Sequence, residues 1–368
     1  VRVDRRQPIL PWNAPPEVNR VSPVEASRRY LEHLVSAWTQ GHPDAPFREQ
    51  QVVLTVPASF DAAARELTRE AAIQAGFPED FVLLEEPQAA FYAWLADQPK
   101  TWRKLVKEGD AVVICDVGGG TTDLTLITVG QEQGELVLQR RAVGNHILVG
   151  GDNMDLALAQ LAQARFAEQG LQLDAWQSVA LWHACRAAKE TLLAPDGPAT
   201  CPVTVLGRGR RLIGGSVSIE LTRDEVVAVL RDGFFPAVSL EARPARRPMS
   251  GFKELGLPFE ADPAITRHLS HFLKQQAEVR PTHVLFNGGV FRSGFFRQRV
   301  LESIAGWYGV DAGALELAHN RDFDLAVARG AAYYGKAKRE RGIRIRGGAA
   351  RSYYVGIEAS GQIGIAHV

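Results

Sequence analysis

Cysteine is scarce: the 368-residue chain has three, Cys115, Cys185 and Cys201, widely spaced in apolar or helical surroundings. That spacing excludes a disulfide framework and a zinc-ligand motif, and a reducing cytoplasm is the simplest home. Net charge is absent too. Lysine plus arginine and aspartate plus glutamate number 42 each, and no basic stretch interleaved with aromatics offers a platform for nucleic acid. No apolar run approaches the roughly 18 residues that a membrane span needs, no secretory signal opens the chain, and no repeat period of about 20–50 residues is evident. What remains is ordinary for a globular protein: 46% hydrophobic and 23% charged residues. The length suits two or three domains, or two large lobes. The chain opens without methionine, on "VRVDRRQPILPWNAPPE", and ends on "GQIGIAHV". The expectation is a piece of a longer protein.

Hydrophobic spacing divides the chain into alternating strands and helices. After an irregular, proline-rich start, "SPVEASRRYLEHLVSAWTQG" reads as a helix capped by Ser22 with Pro23 at its first position. Its apolar set is Tyr30, Leu31, Leu34, Val35 and Trp38. "QVVLTVPA" is a buried strand stopped at Pro57, and "DAAARELTREAAIQAG" a helix closed by Gly76. "FVLLEEPQAAFYAWLA" gives a short strand, a break at Glu86-Pro87 and a helix. The strands "AVVICDV" and "DLTLITV" flank a glycine turn, and "GELVLQRRAVG" follows. Helices are expected at 152–168, 174–194 and 222–239, then an inserted loop at 240–263 with four prolines and a basic cluster. "HVLFNGG" is a strand running into glycines, and two helices close the series. Two blocks of strand, glycine turn and helix suggest a duplicated α/β plan.

The stretch "DVGGGTTDLT", residues 116–125, carries the most chemistry. A turn that wraps an anion needs inward-pointing N–H groups and close approach, which glycine permits. Gly118, Gly119 and Gly120 could form that cradle, with Thr121 and Thr122 adding hydroxyl donors. Carboxylates repel phosphate, so Asp116 and Asp123 make sense only if a hydrated magnesium ion lies between them and the anion. The stretch is neither a strand–loop–helix P-loop, which needs Gly-Lys-Ser/Thr, nor GxGxxG. A solvated hairpin would explain one glycine but not three with paired carboxylates.

In these motifs the chain resembles the ATPase domain of the seventy-kilodalton heat-shock chaperone family, within the actin and sugar-kinase superfamily. The likeness runs over about residues 20–341. It is carried by "VVLTVPASFDAAARELTREAAIQAGF", "LLEEPQAAFYAW", "DVGGGTTDLTL", "VGGDNMDLALA", "VLFNGGVFRSGFFRQRVLE" and "FDLAVARGAA", in the family's order. The resemblance implies an actin-like α/β ATPase fold: two lobes, each a mixed sheet with flanking helices. Residues 1–104 would be a partial lobe I and 105–318 lobe II, with the insertion around 240–263. Residues 319–341 would form a helix returning to lobe I, and 342–368 a linker and the first strand of a truncated downstream domain.

The resemblance also implies ATP or ADP with Mg2+ as cofactors, client proteins and co-chaperones as partners, and ATP hydrolysis that gates a protein-binding domain. Gly118, Gly119, Gly120, Thr121 and Thr122 would hold the phosphates, and Asp116 and Asp123 would hold magnesium through water. Glu86 would orient the attacking water, and Pro57 and Arg65 would relay nucleotide state. Gly150 and Gly151 would approach phosphate at a helix start. Arg186, Lys189, Glu190, Gly288, Gly289, Arg292 and Asp324 would surround the adenosine.

Plainer roles compete at several of these positions. Pro57 could simply end a strand, Arg65 could pair with a neighbouring acid, and Gly150-Gly151 could be only a turn and cap. Arg186 and Glu190 are spaced for an i,i+4 pair worth about 0.3 kcal/mol. The chain also departs from the family. Its first phosphate motif, an aspartate-glycine-threonine hairpin, and its catalytic lysine have no counterpart here and are expected upstream of Val1. The piece by itself would then bind ATP weakly and hydrolyse it poorly. Arg186 and Glu190 stand where the family has glutamate and arginine, and Val290 replaces a hydroxyl residue, which puts adenine selectivity in question. The family's acidic linker gives way to "RERGIRIRGGAARS". A small-molecule kinase of the same superfamily and a non-catalytic scaffold are the alternative readings.

Overall fold

The computed structural model describes residues 5–11, 15, 17–99, 101–206, 215–245, 260–317, 322–340, 343, 345–346, 354–359 and 362–367. Helices alternate with strands: α1 (Pro23–Gly41), β1 (Val53–Val56), α2 (Ala62–Gln74), β2 (Val82–Glu85), α3 (Glu86–Asp97), α4 (Trp102–Leu105), β3 (Ala111–Val117), β4 (Thr122–Glu132) and β5 (Glu135–Val143). There follow α5 (Gly151–Glu168), α6 (Ala175–Leu192), β6 (Thr200–Leu206), β7 (Ser216–Thr222), α7 (Arg223–Phe234), α8 (Ile265–Gln275) and β8 (His283–Asn287). The series ends with α9 (Gly294–Tyr308), α10 (Ala326–Arg339), β9 (Ile345–Arg346), β10 (Tyr354–Ala359) and β11 (Gln362–His367). The chain divides into two compact units, one built from 111–124 and 145–327, the other from 2–110, 125–144 and 328–368.

In the unit containing the first helices, Ser22 Oγ accepts from the Glu25 amide at 3.1 Å, so α1 starts where its capping signal predicts. Asp61 caps α2 through the Ala64 amide at 2.7 Å. The two helices close over Leu31, Ala71, Ala72, Phe77 and Phe81, with Val24 and Val35 alongside. Tyr30 and Leu34, grouped with Leu31 by helical spacing, are instead 77% and 55% exposed. The stripe that α1 buries is narrower than its apolar set.

The break expected at Glu86-Pro87 does not occur: β2 runs directly into α3. Proline in a first helical turn sacrifices no hydrogen bond, so the helix begins through it. β1 and β2 pair in parallel. From Thr125 onward β4 is antiparallel to β5, and β5 is parallel to β9, giving a mixed sheet. Gly330 of α10 lies against α3 so closely that a Cβ would stand 1.7 Å from the Ala89 carbonyl oxygen.

In the other unit β3 and β8 are parallel neighbours, with Asp116 opposite Asn287 at their carboxyl ends. Their side chains are a continuous apolar core of Val112, Val113, Ile114, Val284, Leu285 and Phe286, as parallel strands covered on both faces require. Sequence spacing passes over the β6–β7 hairpin and over α8, although α8 buries Ile265, Leu269, Phe272 and Leu273 at helical intervals. α7 stops at Phe234 rather than 239, because the residue before Pro236 is pushed out of the helical region.

The buried Asp262 accepts from the amides of Ala245 at 2.9 Å and Ala264 at 3.0 Å. Most of the insertion expected at 240–263, and most of the linker expected from 342, lies outside the described residues. Cys115 and Cys185 are buried, and all three cysteines are free thiols. Among the described residues no helix is long and apolar enough to cross a membrane.

Candidate functional site

The glycine turn and the start of α5 are locked together. The Gly118 amide donates to the Thr121 carbonyl at 2.9 Å and closes the turn. The carbonyls of Gly118 and Gly119 accept from the amides of Gly151 at 2.9 Å and Asp152 at 2.7 Å, the first two residues of α5. The helix start, expected to face an anion, therefore has these donors committed to the turn. The Gly150 amide is committed as well, to Asn153 Oδ1 at 2.9 Å. The amides of Gly119 and Gly120, by contrast, have no hydrogen-bond partner among the described residues. With its carbonyls drawn toward the helix, the turn keeps donors in reserve.

Thr121 and Thr122 part company. Thr122 is fully buried, and its hydroxyl donates to the Val149 carbonyl at 2.8 Å. It anchors β4 and has no proton left for an anion. Thr121 is half-buried.

Two acids stand at the strand ends. Asn287 Nδ2 donates to Asp116 Oδ2 at 2.8 Å. Burial pushes the Asp116 carboxyl up to about 6; the Asn287 hydrogen bond opposes that rise, and the Asp123 charge adds to it. Asp123 is buried, and His146 Nδ1 lies 3.5 Å from its Oδ1. Asn287 Oδ1 is buried without a hydrogen-bond partner. Two mutually repelling carboxylates and an orphaned amide oxygen fit a hydrated divalent cation. No cluster of three or more His, Cys, Asp or Glu ligands occurs among the described residues, and magnesium retains its waters and needs few protein oxygens.

Beside the turn opens a cavity of about 400 Å³ lined by Gly118, Gly119 and Gly151 and by residues of α5, α6, α9 and the 3-10 turn Gly289–Arg292. Of the residues expected at the adenosine, Arg186, Lys189, Glu190, Gly289, Arg292 and Asp324 all line it. Gly288 lies behind, with φ +87° and so little room that a Cβ would meet the Val117 carbonyl oxygen at 2.2 Å. Gly120, Thr121 and Gly150 are not in the lining.

The cavity's charges are paired. Lys189 Nζ is 2.6 Å from Asp155 Oδ1, a close charge contact without hydrogen-bond alignment, and Asp155 is 1% exposed. Burial holds the Asp155 carboxyl above its ordinary range despite Lys189. Arg186 Nε lies 3.3 Å from Glu190 Oε1, and Arg292 pairs with Asp324.

Asn287 and Asp155 were missed in the sequence. Asn287 had a signal: ligands in open α/β sheets gather at the carboxyl ends of parallel strands, and Asn287 ends one just before two glycines. Asp155 had the weaker signal of an acid on the buried face of α5.

Pro57, Arg65 and Glu86 belong to the other unit. Pro57 follows β1 and accepts from the Phe60 amide at 3.1 Å. Arg65 Nη2 binds Glu85 Oε1 at 2.7 Å, so its acid partner is the residue before the one singled out. Glu85 is buried and also pairs with Arg140, while Glu86 is the half-buried first residue of α3.

The chain has relatives among known proteins. A family model described as "Hsp70 protein" matches residues 21–232. The chaperone protein HscA homolog of Acinetobacter baylyi is 36% identical over 140 residues, 38% of this chain and 21% of that protein. The HscA homolog of Variovorax paradoxus is 34% identical over 199 residues, 53% of this chain and 28% of the relative. That of Paracidovorax citrulli is 31% identical over 231 residues, 61% of this chain and 33% of the relative. The matched part thus spans between 21% and 33% of these relatives. With helices flanking mixed strand pairing and a matched segment that holds the glycine turn, the start of α5 and all of α6, the chain belongs to the Hsp70 family.

Proposed function

We propose that this chain is the nucleotide-binding core of a chaperone: it binds a nucleoside triphosphate with magnesium, and hydrolysis gates a protein-substrate domain of the longer protein. The observation that carries the reading is the pair of unengaged amides at Gly119 and Gly120, in a turn whose carbonyls are held away by α5. Those donors suit phosphate oxygens, which carry the charge that builds up in phosphoryl transfer. Magnesium, held through water by Asp116 and Asp123, would neutralise phosphate charge. Asn287 orients Asp116, and His146 stands against Asp123. Lys189 adds a cation to the cavity wall, and Glu86 is the candidate for orienting water. Hydrolysis would remove the γ-phosphate contact, and loss of such a contact commonly releases the segments it held. Client proteins and co-chaperones are the partners this role calls for.

Calorimetric titration with purine nucleoside di- and triphosphates in magnesium buffer tests the reading. Binding that weakens at least tenfold in Asp123→Ala is expected, roughly the loss of one charge-mediated contact. Equal affinity in both proteins would remove the metal role from Asp123, and no binding at millimolar nucleotide would overturn the reading.

A further inference from the structure

We propose that a second cavity, at the start of α9, binds a small amphipathic carboxylate, a monoanion with an apolar body. This cavity measures about 630 Å³ and lies between the end of α6, the start of α7 and the first turn of α9. Its size is that of a small-molecule site. It shares Arg292 and Ser293 with the cavity beside the glycine turn, whereas Arg223, Val227, Phe295 and Phe323 line only the second one.

Its polar groups call for an anion. Ser293 is the N-cap of α9 and is 6% exposed, yet its hydroxyl makes no capping bond and has no other hydrogen-bond partner among the described residues. A serine there ordinarily caps the amides ahead of it, and a buried hydroxyl left without a partner is costly. The amides of Gly294 and Phe295, which also line the cavity, have no partner among the described residues either. A helix start with unengaged N–H groups favours negative charge. Arg223 supplies the cation. Its guanidinium donates to the carbonyls of Leu192 at 2.7 Å, Ala194 at 3.3 Å and Gly197, and it pairs with no carboxylate among the described residues. The other two arginines of the lining, Arg292 and Arg297, are matched by Asp324 and Glu316, and no acid lines the cavity.

One uncompensated cation, one hydroxyl and two amides suit the two acceptor oxygens of a single carboxylate. A phosphate dianion would bring a second charge that no group of the lining meets. The other walls, Leu192, Leu193, Val227, Phe295 and Phe323, are apolar. Covering them removes apolar surface from water, so an acid with an apolar body gains more here than a bare ion does.

Calorimetric titrations of the chain with octanoate, octanamide and inorganic phosphate, without nucleotide, test the site. Octanoate is expected to bind one-to-one and about tenfold more tightly than octanamide, the worth of one hydrogen bond to a charged group. Ser293→Ala should weaken octanoate about tenfold and leave octanamide unchanged. Val227→Glu sets a carboxylate in the wall that only this cavity has and should abolish octanoate binding. Thermal unfolding checks that each variant is folded, and either one suffices should the other not be. No binding at millimolar octanoate, or octanamide binding as tightly, overturns the proposal. So does phosphate binding more tightly than octanoate, or octanoate affinity unmoved by the substitutions, which would place the acid elsewhere. Each of these failures leaves the nucleotide reading intact.

Discussion

Gly150 stands so close to Gly119 that a Cβ on it would lie 2.4 Å from the Gly119 carbonyl oxygen and 2.7 Å from that of Gly118. Its backbone is extended, φ −163°, a conformation open to any residue. The requirement for glycine here comes from contact alone. Gly150→Ala must push the start of α5 off the turn and break the bonds from the Gly151 and Asp152 amides. A cost of about 1–3 kcal/mol is expected in denaturant unfolding, the usual range for overpacking. Nucleotide affinity should fall with it, since carbonyls released from the helix could turn toward the anion. A variant unchanged in both measurements would show that turn and helix are independent.

Lys189→Met addresses the floor of the cavity. Asp155 is 1% exposed, and burial already raises its carboxyl above the usual range with Lys189 in contact. A carboxyl with a raised folded-state value binds its proton more tightly folded than unfolded. Stability therefore falls as pH rises from the unfolded value, near 4, through the folded one. Without the lysine that fall should steepen, with about 3–5 kcal/mol lost at neutral pH. Melting temperatures of the variant should be higher at pH 5 than at pH 7, and a flat profile would mean that Asp155 gains another cation.

Much of this site was legible because its residues are consecutive. The glycine run, its flanking aspartates and the strand on either side are local features, and so are the caps Ser22 and Asp61. What escaped depends on partners distant in sequence. Thr122 reads like Thr121 until Val149 takes its hydroxyl. Glu85 and Glu86 are indistinguishable as a dipeptide, and only Arg65 and Arg140 separate them. Tyr30 and Leu34 obey helical spacing, but nothing in spacing tells how wide a stripe the neighbouring helix covers.

Acid should loosen the base of the 240–263 segment. Burial opposes ionisation of Asp262, but the amides of Ala245 and Ala264 and the Arg267 guanidinium outweigh it and hold the carboxyl below its ordinary range. Stability from this group is present above the unfolded value, near 4, and is lost as pH falls through the lower folded value. Asp262→Ala should cost about 1–3 kcal/mol, since it orphans buried amide donors. Hydrogen exchange at Ala245 and Ala264 should accelerate in the same variant, and protection equal to the parent's would exclude the carboxylate as their acceptor.

The last expectation concerns a carboxylate shared by two arginines. Glu85 takes Arg65 from α2 and Arg140 from β5, and Gln88 donates to the same Oε2 that meets Arg140, at 3.2 Å. The Arg140 and Glu85 side chains are 7% and 8% exposed, whereas Arg65 is 28% exposed and partly screened. Removing the acid leaves a buried guanidinium short of its counter-charge, which costs far more than the pair contributes over an apolar replacement. Glu85→Ala should therefore destabilise by about 3–5 kcal/mol. Most of the loss would come from Arg140, since Arg65 can turn to water. Glu85→Leu combined with Arg140→Met should recover most of that loss, because neither charge then needs solvation. The parent, Glu85→Leu, Arg140→Met and the double variant form a double-mutant cycle read by urea unfolding. Strictly additive losses would show that the two side chains do not share their energy. A coupling of several kcal/mol would show that Glu85 holds three elements together at the start of the helix that carries Glu86.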